Sequence, residues 1–124
     1  MSELIRILIA DDHYVVRQGL ATLLAPRNGM EVIGAAATGA EAVELARTLH
    51  PDVILIDIVM PEMTGTEAIG LIKQQDPAAH ILVLTSFGER EKVAAAVQAG
   101  ASGYLLKDSS PDDLLLGIVL AFHQ

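Results

Sequence analysis

Read for its pattern of apolar and polar positions, the chain alternates between two kinds of segment. Five are short aliphatic runs: LIRILIA at 4–10, MEVIGAA at 30–36, DVILID at 52–57, HILVLTS at 80–86 and ASGYLLK at 101–107. Most are continuous or nearly so in Ile, Val and Leu, which predicts strands covered on both faces. The segments between them have helical spacing. HYVVRQGLATLL sets Val16, Leu20, Leu23 and Leu24 on one stripe, and GAEAVELARTLH does the same with Ala42, Val43, Ala46 and Leu49. TEAIGLIKQQ and EREKVAAAVQAG follow, the second ending at Gly100, a left-handed cap, and a last helix runs from about 111 to the end.

Start signals fall where the pattern needs them. Thr38 with Glu41 three residues on reads as a capping box, and Ser110 caps a helix with Pro111 in its first turn. Strand and helix in strict alternation predict an α/β fold, a flavodoxin-like (βα)5 doubly wound parallel sheet in the order 2-1-3-4-5. No linker, repeat or low-complexity tract interrupts it, so residues 1–124 are read as one domain.

Composition narrows the class. The chain is 52% hydrophobic and 19% charged, enough for a sizeable core built from Leu, Ile, Val and Ala, since it has two Phe, two Tyr and no Trp. Sixteen acidic against eight basic residues give a net charge of −8, which repels nucleic-acid phosphates and anionic lipid. The absence of cysteine removes disulfides and thiolate metal sites. MSELIR has none of the marks of a signal peptide, and LLLGIVLAF at 114–122 falls far short of a membrane span, so a cytoplasmic protein is expected.

In a parallel sheet all strand C-termini share one edge, and ligands bind there, where the strand order reverses. The first strand delivers Asp11 and Asp12 to that edge, the third Asp57, the fourth Thr85 and Ser86, and the fifth Lys107; the second ends in AAATG and delivers no charge. Three converging carboxylates need a counter-charge that one lysine cannot supply. An all-oxygen donor set favours Mg²⁺. With a cation and Lys107 beside it and Thr85 to donate a hydrogen bond, Asp57 is placed to attack phosphorus and form an aspartyl-phosphate.

ADDH, DVILIDIVMPEMTG, LVLTS and GYLLKDSSPDDL together resemble the receiver domain of two-component response regulators, in order and over essentially the whole chain. DDHYVVRQGL and KDSSPDDLL are similar to the branch fused to a LuxR-type helix-turn-helix output domain. The resemblance implies Asp57 as phosphoacceptor, Asp12 as direct Mg²⁺ ligand, Asp11 acting through water, and the backbone carbonyl of Val59 as a further ligand. It implies Thr85 as switch hydroxyl, Lys107 as phosphate-pairing lysine and Tyr104 as switch aromatic. A sensor histidine kinase would be the phosphoryl source and a homodimer the phosphorylated form, with DNA reached only through an output domain outside this chain. Asp108 departs from the pattern, because proline often follows the lysine.

Bland alternatives stand beside these readings. Asp12 is expected also to cap the first helix. Tyr104 is either switch or packing, the apolar last helix is either core or part of a dimer face, and the four histidines are expected to be bystanders. Val59 and Phe87, two residues beyond Asp57 and Thr85, are apolar at the mouth of the site and cannot orient a water, so self-dephosphorylation should be slow. Three rival functions are weaker. A haloacid-dehalogenase-type hydrolase would carry a second aspartate where Val59 stands. A flavodoxin-like cofactor binder would need a Gly/Ser/Thr-rich phosphate loop in place of ADDH. A phosphorylation-independent interaction module would have no use for the full constellation.

Overall fold

The computed structural model describes residues 3–86 and 89–124. Five strands, β1 (Ile5–Ala10), β2 (Met30–Ala36), β3 (Val53–Asp57), β4 (His80–Thr85) and β5 (Gly103–Leu106), form one sheet in the order β2-β1-β3-β4-β5. All neighbouring pairs are parallel. Five helices connect or follow them: α1 (Tyr14–Leu23), α2 (Gly39–Leu49), α3 (Gly65–Gln75), α4 (Arg90–Ala99) and α5 (Pro111–Phe122). This is the expected doubly wound fold, with element ends moved by at most two residues. A 3-10 turn at Pro26–Asn28 and a register shift between β1 and β2 at Ile7/Leu8 were not legible in the pattern.

The aliphatic runs are strands because they have two faces to fill. In register, Leu8, Ile54 and Ile81 line up across β1, β3 and β4 and face the core covered by α2, α3 and α4. One residue on, Ile9, Leu55 and Leu82 face the opposite core, covered by α1 and α5. Every residue of β3 is buried, as a central parallel strand requires. At about 25 cal/mol per Å² of apolar surface, such doubly covered strands carry much of the folding free energy. On α5, Leu114, Ile118 and Ala121 are buried while Leu116 and Leu120 are exposed, so the apolar run exceeds what the core uses. No helix among the described residues is long and apolar enough to cross a membrane.

Helix ends follow local chemistry. Ser110 Oγ accepts from the Asp113 N–H at 3.2 Å, with Pro111 in the first turn. Gly100 ends α4 with φ at +124°. At Thr38 only half of the expected capping box forms: its hydroxyl accepts from the Glu41 N–H, but the Glu41 carboxylate reaches the Ala37 N–H instead. The complete box is at the head of α3, where Thr64 and Glu67 cap each other reciprocally. That box anchors α3 directly behind Asp57. Gly65 lies so close that a Cβ there would stand 2.3 Å from the Asp57 carbonyl oxygen.

Candidate functional site at the C-terminal edge of the sheet

β1 and β3 are adjacent, and their register pairs Ala10 with Ile56. The next residues along, Asp11 and Asp57, are therefore neighbours at the lip of the sheet, each almost fully buried. β5 ends beside β4, and the Lys107 N–H donates to the Thr85 carbonyl at 2.8 Å, which turns the Lys107 side chain back over the edge. Its ammonium donates to Asp57 Oδ2 at 3.0 Å and lies 3.1 Å from Asp11 Oδ2. The remaining oxygen of Asp57, Oδ1, accepts from the Val59 N–H at 3.1 Å.

The charges do not balance. Burial pushes the Asp57 carboxyl above the ordinary carboxylate range, and the negative charge of Asp11 adds to this, against the pull of the Lys107 and Val59 hydrogen bonds. Burial alone would lower the Lys107 ammonium, but the hydrogen bonds and charges of Asp57 and Asp11 outweigh it and hold it above its usual value. Asp11 Oδ2 is buried and ion-paired to that same ammonium at 3.1 Å, so two buried carboxylates share one cation. Carboxylate oxygens of Asp11, Asp12 and Asp57 and a ring nitrogen of His13 all lie within 4.8 Å of one another. The excess of carboxylates over the single ammonium and the predominantly oxygen donor set fit a hard divalent cation such as Mg²⁺.

Two expectations need correction. Asp12 does not cap α1: the N-cap position is His13, with no side-chain cap hydrogen bond. The physical reason lies one residue back. Asp11 Oδ1 turns to accept from the His13 N–H at 2.8 Å, which closes the turn between β1 and α1 and leaves Asp12 outside it, about one-third exposed. Nor is His13 a bystander, since its Nδ1 sits 3.1 Å from Asp11 Oδ1 and 3.2 Å from Asp12 Oδ1. Its position directly after two aspartates was the available signal.

The other candidates are near the edge but differently engaged. Thr85 is buried at the end of β4, and its Oγ1 donates to the Ser86 carbonyl at 3.3 Å. Tyr104, on β5, is 55% exposed, so packing does not account for it. Val59 stands at the mouth with its side chain 43% exposed, and it meets Asp57 through its N–H. Phe87 lies outside the described residues.

Residues 7–118 match the family model described as the response regulator receiver domain. The transcriptional regulatory protein LnrK of Bacillus subtilis is 44% identical over 116 residues, covering 94% of this chain and 53% of that protein. The response regulator VraR of Staphylococcus aureus is 42% identical over 110 residues, covering 89% of this chain and 53% of that protein. The chain thus spans about half the length of these curated relatives. Among solved structures, a LuxR-family two-component response regulator from Aurantimonas is 37% identical with a TM-score of 0.91, covering 98% of this chain and 86% of that one. The response regulator domain of Thermotoga maritima CheB is 31% identical with a TM-score of 0.90, covering 98% of each chain. A five-stranded parallel sheet with an acidic, lysine-bridged edge, matched over nearly its whole length by receivers of transcriptional regulators, places this chain in the receiver-domain family of two-component response regulators.

Proposed function

We propose that the chain is a phosphorylation-dependent switch in which Asp57 accepts a phosphoryl group from a sensor histidine kinase. The observation that carries this reading is the buried pair Asp57 and Asp11 held by one ammonium at 3.0 and 3.1 Å. An Asp57 carboxylate oxygen attacks phosphorus, the bond from phosphorus to the donor breaks, and its electron pair leaves with the donor. The product is an aspartyl-phosphate on the end of β3.

This chain's own groups do the positioning. The Val59 N–H fixes one oxygen of Asp57, and Lys107 screens the other before transfer and the phosphoryl oxygens after it. Asp12 and Asp57, Asp11 through water, and the Val59 carbonyl would hold Mg²⁺. The cation supplies charge neutralisation for the incoming phosphoryl oxygens. Asp12, outside the turn and more exposed, suits direct ligation, whereas Asp11 is committed to His13 and Lys107. The Thr85 hydroxyl, engaged with Ser86 in this state, would turn to a phosphoryl oxygen, and exposed Tyr104 would move inward behind it.

Val59 stands where a hydrolase would carry its general acid, so the aspartyl-phosphate should decay slowly rather than turn over. In this reading the switch acts in the cytoplasm, its phosphorylated form dimerises, and DNA is contacted only by an output domain beyond these residues. Incubation with a small-molecule phosphodonor tests the chemistry. An acyl phosphate labile to hydroxylamine should form with Mg²⁺ and not with chelator; no acyl phosphate under either condition contradicts it.

A further inference from the structure

We infer that Arg17 is a positioning residue for phosphoryl transfer: by holding the Asp11 carbonyl it sets the direction in which Asp12 presents its carboxylate. The inference rests on the cation site proposed above and concerns a residue that ligates nothing there. Arg17 lies in the first part of α1, and its Nη1 donates to the Asp11 carbonyl oxygen at 2.6 Å. Side chains on a helix lean back towards its N-terminus, which is how a residue inside α1 reaches the turn before it. The guanidinium also lies over the Tyr14 ring, 5.7 Å from its centroid, so it is held from a second side.

Peptide planarity gives this contact its reach. The Asp11 carbonyl and the Asp12 N–H belong to one rigid plane, so a bond that fixes the carbonyl also fixes the start of Asp12. Asp11 has other restraints: its N–H donates to the Ala36 carbonyl at 3.0 Å, Oδ1 accepts from the His13 N–H at 2.8 Å, and Oδ2 pairs with Lys107 at 3.1 Å. Asp12 has no backbone hydrogen bond among the described residues, and its carboxylate meets His13 Nδ1 at 3.2 Å. The carboxylate proposed to bind the cation directly is thus less restrained than Asp11, and Arg17 orients the peptide that carries it. Helix stability gives no reason for the placement, because a cation near the head of a helix opposes its dipole. The guanidinium bonds a carbonyl rather than a carboxylate, so it orients the edge without consuming a donor oxygen. Orientation and charge then act in opposite directions. Loss of the charge alone would tighten Mg²⁺ binding by removing a like charge near the site, whereas loss of the orientation would weaken it.

Calorimetric titration with Mg²⁺ separates the two effects, on the unaltered chain, Arg17→Met and Arg17→Lys. Groups that orient metal ligands are typically worth about 10–100-fold in affinity, so Arg17→Met should weaken Mg²⁺ binding about tenfold. Arg17→Lys keeps the charge but not the planar fork, and should weaken it about threefold. Amide exchange in chelator gives a readout free of metal. The His13 N–H should exchange faster in Arg17→Met, while Leu8, Ile9 and Ile56 in the strands keep the parent's rates. A Mg²⁺ affinity unchanged or tightened in Arg17→Met overturns the inference and leaves the cation site standing. Faster exchange spread over the strands also overturns it, as the mark of a merely structural role. If Arg17→Met does not fold, Arg17→Lys decides, and an affinity equal to the parent's overturns the inference. No Mg²⁺ binding by the unaltered chain would remove the cation site itself and this inference with it.

Discussion

Replacing Lys107 with methionine leaves two buried carboxylates facing each other without their shared cation. Methionine keeps the length and much of the packing, so the change is chiefly electrostatic. The Lys107 ammonium stands 3.0 Å from Asp57 and 3.1 Å from Asp11, and its side chain is 20% exposed. At an effective dielectric of about 20, each contact has a gross Coulomb energy of roughly 5 kcal/mol, offset by several kcal/mol for dehydrating the ammonium. The loss has a ceiling, because the folded variant can protonate one carboxylate instead. Starting from an ordinary carboxylate pKa of about 3.9 and 1.36 kcal/mol per unit, that escape costs about 4 kcal/mol at pH 7 and about 1.5 kcal/mol at pH 5. The folded variant would hold a proton that the unfolded chain releases, so its stability must rise as pH falls towards the ordinary carboxylate value. In chelator, Lys107→Met should therefore lose about 3–4 kcal/mol at pH 7 and about 1–1.5 kcal/mol at pH 5. Saturating Mg²⁺ should restore much of the difference, about 2.7 kcal/mol at a hundredfold excess over its Kd. Urea unfolding followed by far-UV circular dichroism measures this, since the chain has no tryptophan. A variant within about 0.5 kcal/mol of the parent at pH 7, the size of a neutral surface change, would refute the reasoning, as would equal losses at both pH values.

Asp57→Asn should raise the urea midpoint of the metal-free protein at neutral pH, because the Asp57 carboxyl is held above its ordinary range and its ionisation opposes folding. The gain should fade as pH drops through the folded-state value, and a midpoint below the parent's at pH 7 would contradict the charge imbalance. Gly65→Ala puts a Cβ 2.3 Å from the Asp57 carbonyl oxygen, so α3 must shift; a loss of about 2–3 kcal/mol is expected, with slower phosphorylation. Val59→Asn gives the mouth of the site a group that can orient water, and Phe87→Glu, two residues beyond Thr85 in the sequence, completes the pair. The lifetime of the aspartyl-phosphate should change, and an unaltered decay rate would rule out that role for Val59.

The fold was readable because its physics is local and repetitive. Runs such as VILID have an apolar residue for each face of a central strand, and β3 is buried throughout. The edge rule then brought Asp11, Asp57 and Lys107 together from their chain positions alone. What escaped depends on turns rather than on periodicity. The geometry between β1 and α1 turned Asp11 onto the His13 N–H, left α1 without a side-chain cap and brought His13 beside both carboxylates. Likewise, Gly65 could be seen in the sequence but not its close approach to Asp57, which arises from how α3 starts under its capping box. Tyr104 was ambiguous because an edge strand can face either solvent or core; it faces solvent, next to Leu105, which packs inward.

The most direct measurement of the central claim is intact mass after treatment with a phosphodonor and Mg²⁺, followed by peptide mapping. The account predicts a gain of one phosphoryl group, mapped to Asp57 and absent from Asp57→Ala. Labelling that persists in that variant, or that maps to Asp11 or Asp12, would contradict it.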